Sequence, residues 1–301
     1  MNIFLTGWNR ICRDPRSQTM RTGRTSVSLY WFAATDKAEQ VACMGASPVY
    51  GDITDIGSFQ DALSDCRAVI HLIAIIREQP RKNMTFERIN NQGTRQLVQA
   101  ARKQGIERFV HLSALNADPN ASTPYFESKG KAEAAVRESG INPCILKPSF
   151  IVGPGMPVYS MLARFIKKSP FHIFPVFGNG RYRHQPVSVH DLAKAVALAV
   201  NTENQCSGTY DLGGPEALSF NEQLRQIAEV IDSPVHLWHQ PVWMSRVAVS
   251  LLSLLPQSPI DQNQLSMLIR DNTCDISRFV HDFGIDPMPF KQAVRYLDNS
   301  V

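Results

Sequence analysis

The chain has 301 residues, 44% hydrophobic and 19% charged, enough for one large globular domain or a domain and a half. Its net charge of +4 is a local excess, because five arginines fall between residues 10 and 24; without aromatic interleaving or a known motif this is no signature of nucleic-acid binding. Cys12, Cys43, Cys66, Cys144, Cys206 and Cys274 form no CxxC pair, which argues against a zinc or other metal site and a disulfide framework, and points to a reduced cytoplasmic compartment.

The chain opens with an apolar run, residues 2–5, ending at Thr6-Gly7. It reads as a strand entering a turn and not as a secretory leader. A nucleotide-binding α/β fold needs further glycines just after such a turn, where the backbone meets a pyrophosphate. Here the next glycine is Gly23, and residues 8–26 show no helical apolar face. A strand is expected again over 27–32, a short helix over 37–44, and a brief strand at 48–50. Ser58 is expected to cap a helix through Leu63, with Asp61 completing a capping box. Residues 68–75 are near-continuously apolar, as in a parallel strand covered on both faces. A helix over 86–103 follows, presenting Leu97, Val98 and Ala101 on one side and stopping at Gly105.

The next stretch, 106–133, carries the chemistry. Phe109 to Leu112 reads as a buried strand ending in Ser113. A polar loop leads to Tyr125-Phe-Glu-Ser-Lys129 and a helix. Tyr125 and Lys129 stand four apart, on one helical face. A lysine cation beside a phenol favours phenolate, so a lowered Tyr125 pKa is expected. Ser113, at the strand end, is placed to approach the same point. Together the three suit proton transfer at a carbonyl or alcohol.

Strands and helices keep alternating, with a strand at 144–146 and a loop through Gly155. This predicts an α/β chain with a Rossmann-like, doubly wound parallel sheet and a smaller mixed C-terminal substrate domain. The expected division is residues 1–170 for the first domain, rejoined by strands at 187–189 and 208–212, and 171–301 for the second. In the second half helices are expected at 159–168, after His190-Asp191, from the Ser219 cap through Ile231, at 262–269, and at 290–297. The apolar helix at 242–255 is too short and polar to cross a bilayer, and no run of about 18 apolar residues occurs elsewhere. Packing into the core is the simpler reading of it; covering a cleft or touching a partner is the other.

Several segments, taken in order, resemble one family. They are NIFLTG at the start, GDITD at 51–55, AVIHLIA at 68–74, INNQGT at 89–94, ERFVHLSA at 107–114, YFESK at 125–129, LKPSFIVGPG at 146–155, VSVHDLAKA at 187–195 and YDLGGPE at 210–216. The chain resembles the extended short-chain dehydrogenases/reductases of NAD(P)-dependent epimerase/dehydratase type. Within them it is similar to the atypical branch related to the alpha-subcomplex subunit 9 of respiratory NADH dehydrogenase.

The resemblance implies NAD or NADP as cofactor. It puts Gly7 at the pyrophosphate turn, Asp52 and Ile53 at the adenine, and Leu72, Ile73 and Ala74 on the ribose side. Asn90 would bridge main chain near the active site, and Pro148 and Ser149 would flank the nicotinamide. Ser113 would orient the substrate oxygen, Tyr125 would act as acid/base, and Lys129 would hold the nicotinamide ribose. His190 and Asp191 would orient the following helix. The family's two later glycines fall at Arg10 and Arg13, where side chains obstruct a close dinucleotide. Only Asp36 stands near the place of the ribose-binding acid. Segment 8–35 has the family's length without its pattern, as a compensated pair of frame errors would leave it.

Two functions from different classes follow. One is hydride transfer at a carbonyl or alcohol of a small, apolar substrate. The other is a non-catalytic nucleotide-binding accessory or assembly role at a respiratory NADH dehydrogenase or another membrane-associated complex, held peripherally at the inner face of the membrane. A sugar-nucleotide epimerase or dehydratase is a third alternative.

Overall fold

The computed structural model describes residues 2–6, 28–32, 46–201, 206–252 and 261–298. Gly7, Arg10, Arg13, Asp36, the helix expected over 37–44 and the question of segment 8–35 lie outside them. The chain divides into two compact units, residues 1–148 with 193–211 and 278–285, and residues 149–192 with 212–277 and 286–301.

The first unit is built on a seven-stranded sheet. Its strands in chain order are β1 (Asn2–Thr6), β2 (Ser28–Phe32), β3 (Ala46–Val49), β4 (Ala68–His71), β5 (Arg108–Leu112), β6 (Asn142–Pro148) and, numbered after the strands of the second unit, β11 (Gly208–Leu212). They lie in the order β11-β6-β5-β4-β1-β2-β3. The ladders from β3 through β6 are all parallel. Reversal of strand order beside β1 makes the sheet doubly wound, and such sheets take ligands beyond the carboxyl ends of their strands. Residues 68–71 are all buried, as a strand covered on both faces requires.

Helix α1 (Gly93–Lys103) continues from a wide π turn, Glu87–Gln92. It buries Leu97, Val98 and Ala101 in a core shared with Phe4, Val69, Phe109 and Ile145 of the sheet. Each such side chain contributes about 1.5–3 kcal/mol when fully buried. Helix α2 (Pro124–Arg137) adds Val136 to this core. Gly130 of α2 has no room for a side chain, since a Cβ there would lie 2.1 Å from the backbone carbon of Asp118. That close approach seats the loop between β5 and α2. Arg108, fully buried in β5, is held by the carbonyls of Ala199 and Cys206.

The expected capped helix at 58–63 is instead two short 3-10 turns, Ile56–Ser58 and Gln60–Leu63. Asp55 caps the first through Gly57 N. The Ser58 hydroxyl accepts from the amide of Asp52, 2.9 Å away, and so is not a helix cap.

The second unit holds three two-stranded ladders. They pair β7 (Ile151–Val152) with β10 (Val187–Ser188), β9 (Arg183–His184) with β12 (Leu218–Ser219), and β8 (Ile173–Phe177) with β13 (His236–Gln240). Its main core packs Tyr159, Ala163 and Ile166 of α3 (Pro157–Lys168) against Phe174 and Val176 of β8 and Leu224 and Ile227 of α5 (Phe220–Val230). Thus α3 belongs to the second unit, and the division comes after Pro148, where β6 ends, not at residue 170. The strand expected to rejoin the first sheet at 187–189 pairs with β7, while β11 does join that sheet. Helix α4 (Val189–Val200) follows β10. Asp191, buried at its start, accepts from the amide of Met288 at 2.8 Å and anchors it. The α5 cap is a full capping box, with Ser219 and Glu222 as partners. Helix α6 (Val242–Leu252) buries Ser245 and Val249 but exposes Trp243, Val247 and Leu251, so core packing accounts for only one of its faces. Helices α7 (Gln262–Leu268), α8 (Ser277–Phe283) and α9 (Phe290–Ala293) complete the described chain.

Candidate functional site

The site begins where β5 ends and α2 starts. Pro124 occupies the first turn of α2, where its missing N–H costs nothing. From there Tyr125, Lys129, Glu133 and Arg137 recur every fourth residue along one side of the helix.

Each polar group of the expected trio takes its own direction. The Lys129 ammonium donates to the carbonyl of Leu112 at 2.6 Å. Burial pushes its pKa down to about 8, with Glu133 acting the other way. The Ser113 hydroxyl donates to Glu133 Oε1 at 2.5 Å. The Tyr125 hydroxyl bonds to no described residue, and its ring packs edge-on to Phe86 and against Phe126. Burial pushes the Tyr125 pKa up to about 12. The downward shift expected from Lys129 is not found: desolvation of the phenol, 8% exposed, governs instead.

Glu133 went unnoticed in the sequence. It is 1% exposed and takes Arg137 at 2.5 Å and Lys147 at 3.6 Å besides Ser113. Its spacing of four from both Lys129 and Arg137 was the available signal.

Asn90 ties a second loop to this helix. Its Oδ1 accepts from Ile75 N at 2.9 Å, while Nδ2 donates to Ile75 O at 3.1 Å and to Ser128 Oγ at 3.2 Å. Ser128 in turn donates to the carbonyl of Tyr125 at 2.7 Å. The stretch from Leu72 to Ala74, half-buried, is therefore pinned at both ends, since Leu72 N donates to Thr6 O at 2.9 Å. The amides of Ile73 and Ala74 bond to no described residue. Thr123 Oγ1, two residues before Tyr125, is buried with no partner among the described residues. Open donors at the carboxyl end of a parallel sheet suit a polar nucleotide. The described residues thus fit a dinucleotide.

Other expected residues make contacts within the chain. The Asp52 carboxylate accepts from the amide and hydroxyl of Thr54, each at 2.8 Å. Ile53 is buried in the core, against Gly93. Pro148 ends β6, and its carbonyl accepts from Leu115 N at 2.9 Å. Ser149, in the second unit, donates its hydroxyl to Asn272 O at 3.0 Å.

Beneath the site lies a polar chain that sequence reasoning did not identify. Thr94 Oγ1 donates to Asn90 O at 2.6 Å, so its oxygen accepts from His71 Nε2, 2.9 Å away. That leaves His71 Nδ1 bare, to accept from Thr6 Oγ1 at 2.6 Å. His71 is consequently a neutral donor–acceptor link, and burial, then Lys129, lowers its pKa to about 3. His111 stacks on it with ring centres 5.3 Å apart. Both His111 ring nitrogens are buried without a partner among the described residues. Burial, Lys129, His71 and Arg137 all hold its pKa well below the usual range.

Known proteins resemble this chain in sequence and in fold. A mitochondrial NADH dehydrogenase [ubiquinone] 1 alpha subcomplex subunit 9 from Arabidopsis thaliana is 29% identical over 193 residues, covering 64% of this chain and 46% of its own. The 40 kDa subunit of the mitochondrial NADH-ubiquinone oxidoreductase of Neurospora crassa is 27% identical over 237 residues, covering 78% and 58%. The chain spans about half the length of these curated relatives. Among solved structures, a UDP-glucose 4-epimerase from Thermotoga maritima with bound UDP-glucose superposes with a TM-score of 0.74 at 17% identity, covering 99% of this chain and 98% of its own. The Bordetella bronchiseptica enzyme WbmH in complex with NAD+ does so at 0.72 and 20% identity, covering 98% and 95%. At these identities the two likenesses speak for the fold. Residues 7–213 match the profile of one family, and the chain therefore belongs to the NAD dependent epimerase/dehydratase family, whose cofactor is NAD.

Proposed function

We propose that this chain binds a nicotinamide dinucleotide and serves as a non-catalytic accessory or assembly component of a membrane-associated respiratory complex. The observation that carries this reading is the commitment of the site's polar groups to internal partners. Ser113 is spent on Glu133 and Lys129 on Leu112 O, while the Tyr125 phenol is pushed up to about 12. A phenol with such a pKa is a poor base at neutral pH. The curated relatives are named as subunits of a mitochondrial NADH dehydrogenase, which supports a place in such a complex.

The amides of Ile73 and Ala74 would hold the dinucleotide, and either NAD or NADP suits them. When bound, its nicotinamide supplies hydride chemistry. In this reading the protein's residues orient and shield it and move no proton.

A second reading has one observation in its favour. The Tyr125 hydroxyl bonds to no described residue and stands one turn from Lys129. That leaves it available as the acid/base of an oxidoreductase acting on a carbonyl or alcohol of a small, apolar substrate.

One experiment separates the two. NADH and NADPH are titrated into wild type and Tyr125→Phe, and both proteins are assayed against carbonyl and alcohol substrates. The accessory reading expects equal binding, no turnover, and co-migration with the host's NADH dehydrogenase on native gels. Turnover that Tyr125→Phe abolishes overturns it in favour of the oxidoreductase.

A further inference from the structure

The second unit carries a surface that the nucleotide site does not use. Helix α3 buries Tyr159, Ala163 and Ile166. Along its exposed side Val158, Met161 and Phe165 recur at i, i+3 and i+7. Arg164, Lys167 and Lys168 are exposed beside them.

The strip continues into the following turn. Ser169 Oγ donates to Ile173 O at 2.5 Å and closes a tight link between α3 and β8. Within that link Phe171 and His172 both take left-handed backbone, each at φ 56°. An aromatic residue is rarely held there. The result is a Phe171 side chain 84% exposed. Phe165 packs edge-on to the buried Phe174 with ring centres 5.1 Å apart, which joins the helix edge to β8. On the outer face of the β8–β13 ladder Ile173 and Trp238 are also exposed, Trp238 to 56%. The alternating Phe174 and Val176 face the core.

Charge selects the partner. Helix α3 contains no carboxylate and three lysines or arginines, Arg164, Lys167 and Lys168. An aromatic and aliphatic ridge flanked by cations, with no acidic group in its own stretch, matches a surface that is apolar inside and anionic outside. We propose that α3 and the Phe171 turn form a docking surface for an anionic lipid bilayer. Phe165 and Phe171 enter the interface while Arg164 and Lys168 meet the headgroups, their alkyl stems lying along the apolar layer. This attachment needs no crossing helix, and no helix among the described residues is long and apolar enough to cross a membrane. It does not depend on the nucleotide reading.

The test is co-sedimentation of the full chain with phosphatidylcholine vesicles, with and without phosphatidylglycerol. Binding to the anionic vesicles, weakened by salt, is expected, with little binding to phosphatidylcholine alone. Arg164→Glu with Lys168→Glu should weaken it about tenfold or more, and Phe171→Asp should do the same, with nucleotide binding unchanged. The Arg164/Lys168 pair lies on an exposed helix side, so this arm stands even if Phe171→Asp fails to fold. Absence of sedimentation with anionic vesicles overturns the proposal, as does undiminished binding by the Arg164/Lys168 variant. Variant-sensitive binding to a protein without any vesicle binding overturns it too.

Discussion

The Ser113 hydroxyl donates to the Glu133 carboxylate across 2.5 Å, and the two residues come from opposite ends of the site's central stretch. The bond fastens the end of β5 to the third turn of α2. Glu133 also takes Arg137 and Lys147, so a buried carboxylate is shared by one hydroxyl and two cations. Removing its charge strands those partners. Glu133→Ala should cost about 3–5 kcal/mol, as for a broken buried pair. Ser113→Ala should cost about 1–3 kcal/mol, because it leaves one carboxylate oxygen short of a donor. Urea unfolding measures both. If Ser113→Ala proves neutral, the bond contributes nothing to the fold.

Lys129 should reveal itself in the pH dependence of stability. Its pKa falls from an ordinary 10.5 to about 8 on burial. Below pH 8 both folded and unfolded chains hold the proton, and the fold bears the cost of a buried cation. Between pH 8 and 10.5 the folded chain releases it first. The unfolded state then binds more protons, and stability from this group rises with pH. Lys129→Met removes the cost and should be more stable than wild type at pH 7 by about 3 kcal/mol. The gap should narrow between pH 8 and 10. A gap independent of pH contradicts the buried-cation account.

Much of this was legible because hydrophobic runs and glycine stops follow simple periodicities. The fully buried β4 and the α1 face of Leu97, Val98 and Ala101 were readable for that reason. So was the doubly wound arrangement, from strand–helix alternation. Directions of polar side chains were not. Nothing in the spacing of Tyr125 and Lys129 says that the lysine turns to Leu112 O. Nor does the pattern say that burial outweighs a neighbouring cation at the phenol. The expected boundary at residue 170 left α3 in the first domain, because periodicity says that a helix forms at 159–168 and not what it packs on. Only its contacts with Phe174 assign it elsewhere. Nor does the sequence say that the Asp118 backbone leaves Gly130 no side chain.

Asn90 should control the loop at 72–75, and through it the proposed binding of nucleotide. Its side chain makes both bonds to the main chain of Ile75 and one to Ser128. Asn90→Ala releases the loop from α2 and leaves two backbone groups of Ile75 without those partners. A stability loss of about 1–3 kcal/mol is expected. NADH affinity should fall about tenfold, since ordering the freed loop on binding costs on the order of 1.4 kcal/mol or more. Fluorescence titration checks it. An unchanged affinity in a folded Asn90→Ala protein detaches the loop at 72–75 from the nucleotide site.

His111 offers the sharpest test of the buried polar layer. Its two ring nitrogens lie buried without a partner among the described residues, stacked on His71. Both histidines have folded pKa values below the ordinary 6.5, His71 near 3. As pH falls below 6.5 the unfolded chain takes up protons that the folded chain refuses. Stability therefore drops on acidification, by about 1.4 kcal/mol per pH unit for each histidine. Phenylalanine at position 111 keeps a flat ring and removes two unsatisfied polar atoms. His111→Phe should stabilise the protein by about 1–3 kcal/mol at pH 7. It should also lessen the acid dependence by one proton between pH 6 and 4, because His71, bonded to Thr6 and Thr94, keeps its own share. Urea unfolding at pH 7 and pH 5 gives both quantities. A His111→Phe protein less stable than wild type, with its acid dependence intact, would mean that the imidazole is paired and that the folded chain protonates it as readily as the unfolded one.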